Sequence, residues 1–360
     1  MNILYISKLE GNDWQGPTHS VPNQIHYQSK YDNVKWINIC NTKKIEWFNE
    51  EYFEVKNIKK ISDLEKPFDE PDIVVFQGVY EYPFSPIVYD LWKRKIPYVI
   101  VPRSALTEDA QAKKKYKKKI FNYIFFNKFI SRAISIQYLT LKEYQESSNK
   151  WNKNHFIEPN GIEFNKKLKT KSNVNSSITL SYIGRLEIYQ KGLDLLIKAC
   201  ESIKKELLNN NVKIELYGPD REGTVEKLNE LLRKTDLFDI IHINKGVFGT
   251  EKENVYKNTD VFIMTSRFEG LPMGLIEALS YGIPCFVTSG TNLKEEIVEN
   301  YAGWGCEGTV SDISKTLIKL INDKSNFDLY SKNAKKLSEK YDWDSIAKDT
   351  HKEYKKMINN

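Results

Sequence analysis

Short runs of β-branched and aromatic residues alternate with longer helix-compatible segments along the whole chain. In the first half, the runs that predict strands are Ile3–Ile6, Val34–Ile39, Ile73–Phe76, Tyr98–Val101 and Ile134–Leu139. Continuous apolar runs of this length are typical of strands buried on both faces of a parallel sheet. The segments between them are long enough for crossovers, so the pattern predicts a parallel sheet covered by helices.

The second half repeats this alternation. Its predicted strands are Ile178–Ile183, Lys213–Tyr217, Ile240–Ile243, Val261–Met264 and Cys285–Val287. Its predicted helices lie near Gly192–Leu207, Val225–Arg233 and Gly274–Tyr281, followed by a closing helix over Asp342–Met357 with Trp343, Ile346, Tyr354 and Met357 on its buried face. The expected fold class is α/β, with two doubly wound, Rossmann-like domains that face a central cleft.

The length of 360 residues exceeds the ~250–300 residues at which a single core stops growing, which favours two domains. A polar, unpatterned stretch lies between the two alternating halves. We expect an N-terminal domain over 1–165, a linker over 166–177, a second domain over 178–340, and a C-terminal helix over 341–360 that packs on the N-terminal domain. The absence of an uncharged apolar run of ~18–20 residues, and of a signal-like N-terminus, favours a cytoplasmic protein.

Cysteine usage and charge exclude some classes of function. The four cysteines are scattered, which argues against a disulfide framework or a zinc site and predicts small core residues. Residues 1–170 contain 27 Lys and Arg against 20 Asp and Glu, whereas residues 171–360 contain 27 against 28. The excess positive charge of the chain, +6 overall, therefore belongs to the first half.

Residues 110–142 hold nine basic residues and no acidic one, and six of the nine are Lys113, Lys114, Lys115, Lys117, Lys118 and Lys119. Phe121, Phe125 and Phe129 follow at helical spacing. One interpretation is a solvated helix face beside ordinary core residues. Another is a helix that lies on an anionic membrane surface. Nucleic-acid binding is disfavoured, because no recognised nucleic-acid module accompanies the run and the second half is not basic.

The stretch Ser266–Leu279 is the most informative one for chemistry. It follows a buried strand, passes through a Gly- and Pro-containing loop and opens a helix, whose N-terminus can hold an anion such as a diphosphate. Gly270 and Gly274 permit a close approach. Glu277 in the helix can accept hydrogen bonds from a ribose diol, and Glu269 in the loop can reach a second hydroxylated group. The alternative is that both are solvated carboxylates beside a helix start.

A second set of residues follows the first strand of the second half. Arg185 offers a planar fork of donors and Lys191 a point charge, which together suit an oxygen-rich leaving group without a metal. No Asp-x-Asp pair follows a strand in a place suited to a divalent ion. We expect neither a metal nor another cofactor.

These pieces resemble the retaining glycosyltransferases of family 4, which have the two-domain GT-B architecture. The resemblance spans most of the chain in order. Its pieces are the Pro159–Ile162 run, Gly184-Arg185-Leu186 with Lys191–Asp194, Tyr217–Asp220, Lys245–Val247, Asp260–Phe262, and the two glutamates Glu269 and Glu277 at a spacing of eight.

The resemblance implies that Arg185 and Lys191 hold the diphosphate of a nucleotide sugar, that Glu277 binds the ribose, and that Glu269 contacts the transferred sugar. Arg185, Lys191 and Glu269 are then the catalytic residues. The remaining donor contacts it implies in this half are Gly184, Val247, Phe248, Gly270, Leu271, Met273, Gly274 and Leu275. It also implies front-side attack with retention onto a glycan acceptor, lipid-linked at the cytoplasmic membrane face, in capsule, O-antigen or exopolysaccharide synthesis. We expect UDP as the nucleotide, ahead of GDP.

Two segments of the first half depart from the family pattern. The glycine-rich loop after the first strand contains Gly16, the expected contact to donor phosphate or sugar, but Pro17 follows where the family has a second glycine. Arg103 is followed by Ser104 where many relatives have glycine. His19 and Arg103 are weaker candidates for the acceptor side. The alternatives left open are a non-catalytic partner subunit and a two-domain enzyme of other chemistry, such as a nucleotide-sugar epimerase.

Overall fold

The computed structural model describes residues 1–10, 16–39, 51–81, 84–112, 115–147, 150–163, 177–220 and 223–359. It divides into two compact units. Unit 1 comprises Met1–Gly161 and Tyr341–Asn360, and unit 2 comprises Ile162–Lys340. Apart from Ser177, the expected linker over 166–177 lies outside the described residues.

Unit 1 is built on a seven-stranded sheet in which all neighbouring strands are parallel. Its strands are β1 (Asn2–Ser7), β2 (Asn33–Asn38), β3 (Phe53–Val55), β4 (Ile73–Gln77), β5 (Tyr98–Val101), β6 (Ser135–Tyr138) and β7 (His155–Ile157), in the order β3-β2-β1-β4-β5-β6-β7. Ile3 and Tyr5 belong to one hydrophobic cluster, and Leu4 and Ile6 to another. β1 is therefore buried on both faces, as its continuous apolar run predicts.

The helices of unit 1 are α1 (Gly16–Gln28), α2 (Phe84–Arg94), α3 (Glu108–Ala112), α4 (Lys115–Phe121), α5 (Asn127–Ser131) and α6 (Leu141–Glu146). A π-helical turn, Asn122–Phe126, joins α4 to α5. Thr140 caps α6 by accepting a hydrogen bond from the Glu143 N–H. The Gly16 loop residue of the sequence analysis is the first residue of α1, and Pro22 lies inside that helix.

The C-terminal helix, Trp343–Asn359, belongs to unit 1 and packs on α1. Trp343, Ile346 and Tyr354 are buried, as predicted, whereas Met357 is half-buried. The Trp343 ring lies so close to Gly161 that a Cβ at this glycine would lie 2.6 Å from the ring atom Cδ2. Tyr31 of unit 1 donates a hydrogen bond of 2.9 Å to Asp344, which fixes the first turn of the helix.

Unit 2 contains a second parallel sheet, of six strands. They are β8 (Ile178–Ile183), β9 (Val212–Tyr217), β10 (Ile241–Asn244), β11 (Val261–Met264), β12 (Cys285–Thr288) and β13 (Gly303–Cys306), in the order β10-β9-β8-β11-β12-β13. The predicted strands of this half all exist, with boundaries shifted by no more than one residue.

The helices of unit 2 are α7 (Leu193–Ser202), α8 (Lys204–Asn209), α9 (Thr224–Thr235), α10 (Gly249–Lys257), α11 (Met273–Ser280), α12 (Lys294–Glu299), α13 (Val310–Asn322) and α14 (Phe327–Ser338). The single helix predicted near Gly192–Leu207 is wrong, because non-helical backbone at Ile203 divides it into α7 and α8. Ile203 is itself buried. Because its side chain is buried although its backbone is not helical, the spacing of apolar residues that predicts one helix continues across the break.

Cys200, Cys285 and Cys306 are buried and unpaired, which confirms their prediction as core residues, while Cys40 lies outside the described residues. Within the described residues, no helix combines the length and apolar character needed to span a bilayer.

Candidate functional site

The order of the unit 2 sheet locates its ligand crevice. The chain runs outward from β8 to β9 and β10 on one side, and β11 to β13 lie on the other. In open parallel sheets, ligands bind at the carboxyl ends of the two strands where the order reverses. Here those strands are β8 and β11, which are followed by Gly184-Arg185 and by the loop that contains Glu269. Topology therefore brings together the two segments that sequence alone singled out.

Two glycines allow the backbone to pack tightly at this edge. A Cβ at Gly218, after β9, would lie 2.1 Å from the Gly184 carbonyl oxygen. Gly192 has φ of +62°, and a Cβ there would lie 2.0 Å from the Thr265 carbonyl oxygen. A larger residue would push the loop after β8 away from the loop after β9 at Gly218, and away from the loop after β11 at Gly192.

Lys191 and Glu269 meet at the centre of this crevice. The Lys191 Nζ lies 2.6 Å from Glu269 Oε1, and the two side chains are 10% and 8% exposed. Ser266 Oγ donates to the same carboxylate oxygen at 2.6 Å. Because the pair is largely removed from water, each charge holds the other in place. The ammonium and the carboxylate thus occupy fixed positions beside the strand ends.

Arg267 ties the two loops together. Its Nη1 and Nη2 donate to the two carboxylate oxygens of Asp194 at 2.7 and 2.8 Å, and Nη1 also donates to the Tyr189 carbonyl at 2.7 Å. The guanidinium lies 4.5 Å from the centre of the Tyr189 ring. Burial acts to raise the pKa of Asp194, but the hydrogen bonds and charge of Arg267 bring it below its ordinary value. Arg267 was not a predicted site residue, although it lies in the stretch Ser266–Leu279 that the sequence singled out.

Residues at the end of β12 and just after it contact the loop that contains Glu269. Asn292 Nδ2 donates to the carbonyl oxygens of Glu269 and Gly270 at 2.5 and 3.0 Å. A Cβ at Gly290 would lie 2.2 Å from the Ser266 carbonyl oxygen, so only glycine fits there without a shift. Thr288 Oγ1 donates to that same carbonyl at 2.7 Å. None of these three residues was a predicted site residue, since their contacts depend on tertiary packing.

The N-terminus of α11 lies against the end of β8. A Cβ at Gly274 would lie 3.0 Å from the Ile183 carbonyl oxygen, which places the first turn of the helix beside the strand that carries Arg185. Pro272, at the N-cap, provides no capping side chain. The positive end of the helix is therefore available to an anion in the crevice.

Glu277 projects from α11 and is held by two residues of α10. Tyr256 donates to Glu277 Oε2 at 2.9 Å and to the Gly274 carbonyl at 3.1 Å, and Lys252 forms an ion pair with the same carboxylate oxygen. Tyr256 is buried, and burial together with the charge of Glu277 raises its pKa well above the ordinary value. The carboxylate remains 30% exposed. It can therefore still accept hydrogen bonds from a ligand.

The other predicted donor residues are spread around the same edge of unit 2. Arg185 is exposed, and its Nη2 donates to the neutral Gln190 amide oxygen at 3.4 Å; among the described residues it forms no ion pair. Phe248 is 64% exposed at the start of α10. Gly270 is exposed, and Gly184, Val247, Leu271, Met273 and Gly274 are half-buried. The Leu275 side chain is buried, so Leu275 can offer a ligand only its backbone.

Unit 1 contains the remaining candidates. Gly16 and His19 are exposed on α1. Arg103 lies inward, and its five N–H donors are directed at the oxygens of Gln77, Ser20, Asn160 and Gln24, 2.8–3.4 Å away. Burial lowers the pKa of Arg103 to about 10 despite the charge of Glu143. The structure thus gives Arg103 the role of holding α1 to the sheet edge.

Among the described residues, no three His, Cys, Asp or Glu side chains group in a way that could hold a metal ion.

Comparison with known proteins finds likenesses centred on unit 2. Residues 164–337, which make up most of unit 2, match the family model described as glycosyl transferases group 1. Unit 2 is therefore similar to the group 1 glycosyltransferases. An uncharacterized glycosyltransferase of Methanocaldococcus jannaschii is 29% identical over 209 residues, 55% of this chain and 52% of that protein. The capsular polysaccharide biosynthesis glycosyltransferase CapM of Staphylococcus aureus is 26% identical over 193 residues, 50% of this chain and 48% of that protein.

The chain thus spans about half the length of the curated glycosyltransferases it matches. Solved structures extend the likeness in fold to the whole chain. Anabaena HepE in complex with UDP and glucose superposes with a TM-score of 0.72 at 15% identity, covering 99% of this chain and 100% of that one. The lipopolysaccharide outer core galactosyltransferase WaaB gives 0.72 at 16% identity, covering 98% of each. The predicted fold class, two Rossmann-like domains of the GT-B type, is confirmed.

Proposed function

We propose that this protein transfers a hexose or related sugar from a nucleoside diphosphate sugar to a hydroxyl group of a glycan acceptor. The observation that carries the proposal is the crevice between β8 and β11. There, the exposed guanidinium of Arg185, the buried Lys191–Glu269 pair and the uncapped N-terminus of α11 lie on connected elements. The group 1 glycosyltransferase match covers the same residues.

The donor diphosphate would bind at the positive end of α11 and to Arg185. Both pairs of opposite charges, Lys191 with Glu269 and Lys252 with Glu277, are internally balanced, so Arg185 provides the excess positive charge of the crevice. As the bond between the sugar and the diphosphate breaks, negative charge grows on the leaving oxygen. Arg185, Lys191 and the helix N–H groups stabilise that charge without having to reorganise. A metal ion is not required for this role.

The two glutamates would bind different parts of the donor. Glu277, which keeps an accessible carboxylate edge, accepts hydrogen bonds from the ribose hydroxyls. Glu269 shares its Oε1 between Lys191 and Ser266, so Oε2 is the oxygen that would contact a hydroxyl of the transferred sugar. In this arrangement Lys191 orients Glu269 and at the same time faces the diphosphate.

We further propose retention of the anomeric configuration by front-side attack. The leaving diphosphate oxygen accepts the proton of the attacking hydroxyl, the new glycosidic bond forms on the face from which the diphosphate departs, and no side chain has to act as a base. UDP is the favoured nucleotide, on the likeness in fold to HepE, which was solved with UDP and glucose. The proposed product is a lipid-linked surface polysaccharide, on the likeness of sequence to CapM.

A product assay tests the function. The protein is incubated with UDP-glucose, UDP-galactose, UDP-N-acetylglucosamine or the GDP-sugars, together with short lipid-linked or alkyl glycosides, and nucleoside diphosphate release is measured. NMR of the product then gives the anomeric configuration. Release that depends on acceptor, with a retained anomeric centre, supports the proposal. An inverted product would contradict the front-side mechanism, and release of an epimerised sugar nucleotide would contradict transfer itself.

A further inference from the structure

The helical segment 115–131 of unit 1 has two very different apolar faces. Phe125, Phe126 and Phe129 are buried in the core below the sheet. Along the same segment, five large apolar residues are exposed, with exposed fractions between 43% and 87%; they are Tyr116, Ile120, Phe121, Tyr123 and Ile124. The core interpretation of the sequence analysis therefore holds for Phe125 and Phe129 and is wrong for Phe121.

Spacing places most of the exposed residues on one side. Tyr116, Ile120 and Ile124 follow one another at intervals of four, and Tyr123 is adjacent, so they form one stripe along the helix. Soluble proteins seldom leave contiguous aliphatic and aromatic side chains in water without a partner. The stripe therefore calls for a binding partner.

Positive charge surrounds the stripe. Lys115, Lys117 and Lys119 are exposed on the same helical segment, whereas Lys118 turns inward to donate to the Ala110 carbonyl. Lys113 and Lys114 lie outside the described residues. A groove of about 1210 Å³ opens beside the stripe, and its lining combines Lys115, Lys119, Lys128 and Lys150 with Ile120 and Ile124.

We propose that this surface, the 115–124 stripe with its groove, docks unit 1 on an anionic lipid bilayer. Ile120, Tyr123 and Ile124 would enter the interface between headgroups and acyl chains, and the lysines would contact anionic headgroups. Exposed isoleucines distinguish this partner from nucleic acid, whose bases stack on aromatic rings and gain nothing comparable from aliphatic side chains. The proposal goes beyond the transferase function and can be tested without turnover.

The test is co-sedimentation of the full chain with vesicles of phosphatidylcholine alone or of phosphatidylcholine with phosphatidylglycerol. We expect binding to the anionic vesicles that is lost on addition of salt, and weak or no binding to the neutral ones. Each basic residue near such a surface contributes roughly a factor of five at low salt, so the triple variant Lys115→Gln, Lys117→Gln, Lys119→Gln should bind about a hundred-fold more weakly.

Matched control variants distinguish binding through this surface from non-specific electrostatic or hydrophobic binding elsewhere on the protein. Lys205→Gln, Lys213→Gln and Lys234→Gln remove the same charge from exposed positions of unit 2 and should leave binding unchanged. Tyr123→Gln with Ile124→Gln should reduce binding, whereas Leu208→Gln with Leu329→Gln, also exposed, should not. Circular dichroism of each variant checks that the fold is retained.

Several results would overturn the proposal. They are equal binding to neutral and anionic vesicles, no binding to either, or equal losses in the two lysine triples. Polyuridylate is the probe for the competing partner. Binding of polyuridylate that depends on Lys115, Lys117 and Lys119, without vesicle binding, would assign the surface to nucleic acid instead.

Discussion

Arg185 is exposed and forms no ion pair with the described residues, so its removal should affect the reaction more than the fold. We expect Arg185→Ala to lower turnover by about 10²–10³-fold, the usual cost of losing one preorganised donor to a developing anion. Because the side chain is exposed, the melting temperature should hardly change. The exposed Arg233 on α9 provides a matched control, and Arg233→Ala should keep wild-type turnover. Wild-type turnover in Arg185→Ala would remove Arg185 from the mechanism.

At the residue scale, the sequence predicted the candidate site residues whose type and spacing along the chain indicate their chemistry. Glu269 and Glu277 flank a glycine-containing turn, and Lys191 follows a strand, so their types and spacing predicted a shared site. Asn292 and Gly290 support the same loop from more than twenty residues downstream. Nothing local marks them, because their importance comes only from the carbonyl oxygens that packing places beside them.

At the scale of elements, the Arg267–Asp194 clamp joins α7 to the loop after β11. The pKa of Asp194 is lowered in the folded state. Such a carboxyl group stabilises the fold at pH values above its ordinary pKa, and this stabilisation is lost as the pH falls through the folded-state pKa. We expect Asp194→Asn to cost about 1–2 kcal/mol near neutral pH, since the pair is bidentate but partly exposed. Thermal melts should show the difference from wild type shrinking below about pH 4. A difference independent of pH would contradict the role of the ionised carboxylate.

Glu158, after β7, faces the C-terminal helix and should act in the opposite direction. Burial, with the charges of Asp349 and Glu353, raises the pKa of Glu158 to about 8. The folded state therefore keeps a proton that the unfolded chain releases above its ordinary pKa, and stability falls as the pH rises from about 4.5 to about 8. Gln mimics the protonated form, so Glu158→Gln should gain about 2–4 kcal/mol above that range and nothing below it.

Urea denaturation at several pH values measures this gain. The exposed Glu201 on α7 serves as the control, and Glu201→Gln should change stability by less than about 0.5 kcal/mol at every pH. If Glu158→Gln were no more stable than wild type above pH 8, the carboxyl group would not be held protonated.

The elements that sequence reasoning missed have a common cause. β3, β7 and β13 are the strands absent from the prediction, and each lies at an edge of its sheet. β3 and β7 are three residues long, and β13 contains Gly303 and Gly305. Edge strands have only one neighbour and need no long apolar run, so the pattern that reveals a central strand such as β1 does not occur in them.

At the scale of the whole molecule, two parallel sheets and a C-terminal helix in unit 1 were both predictable. The alternation of apolar runs predicts the number of sheets. The order of the strands is known only from their pairing in the structure. For the 115–124 segment the sequence left two interpretations open, because Phe125 and Ile124 are adjacent in sequence and differ only in which face meets the core.

The proposed function requires unit 2 to bind a nucleoside diphosphate through α11 and Glu277. This binding can be measured by calorimetric titration of UDP into the wild-type protein with EDTA present, repeated with Glu277→Ala and with the control Glu230→Ala, at an exposed residue of α9. We expect UDP binding that needs no metal, is weakened by about 1–3 kcal/mol in Glu277→Ala, and is unchanged in Glu230→Ala. Absence of UDP binding, or equal affinity in wild type and Glu277→Ala, would contradict it.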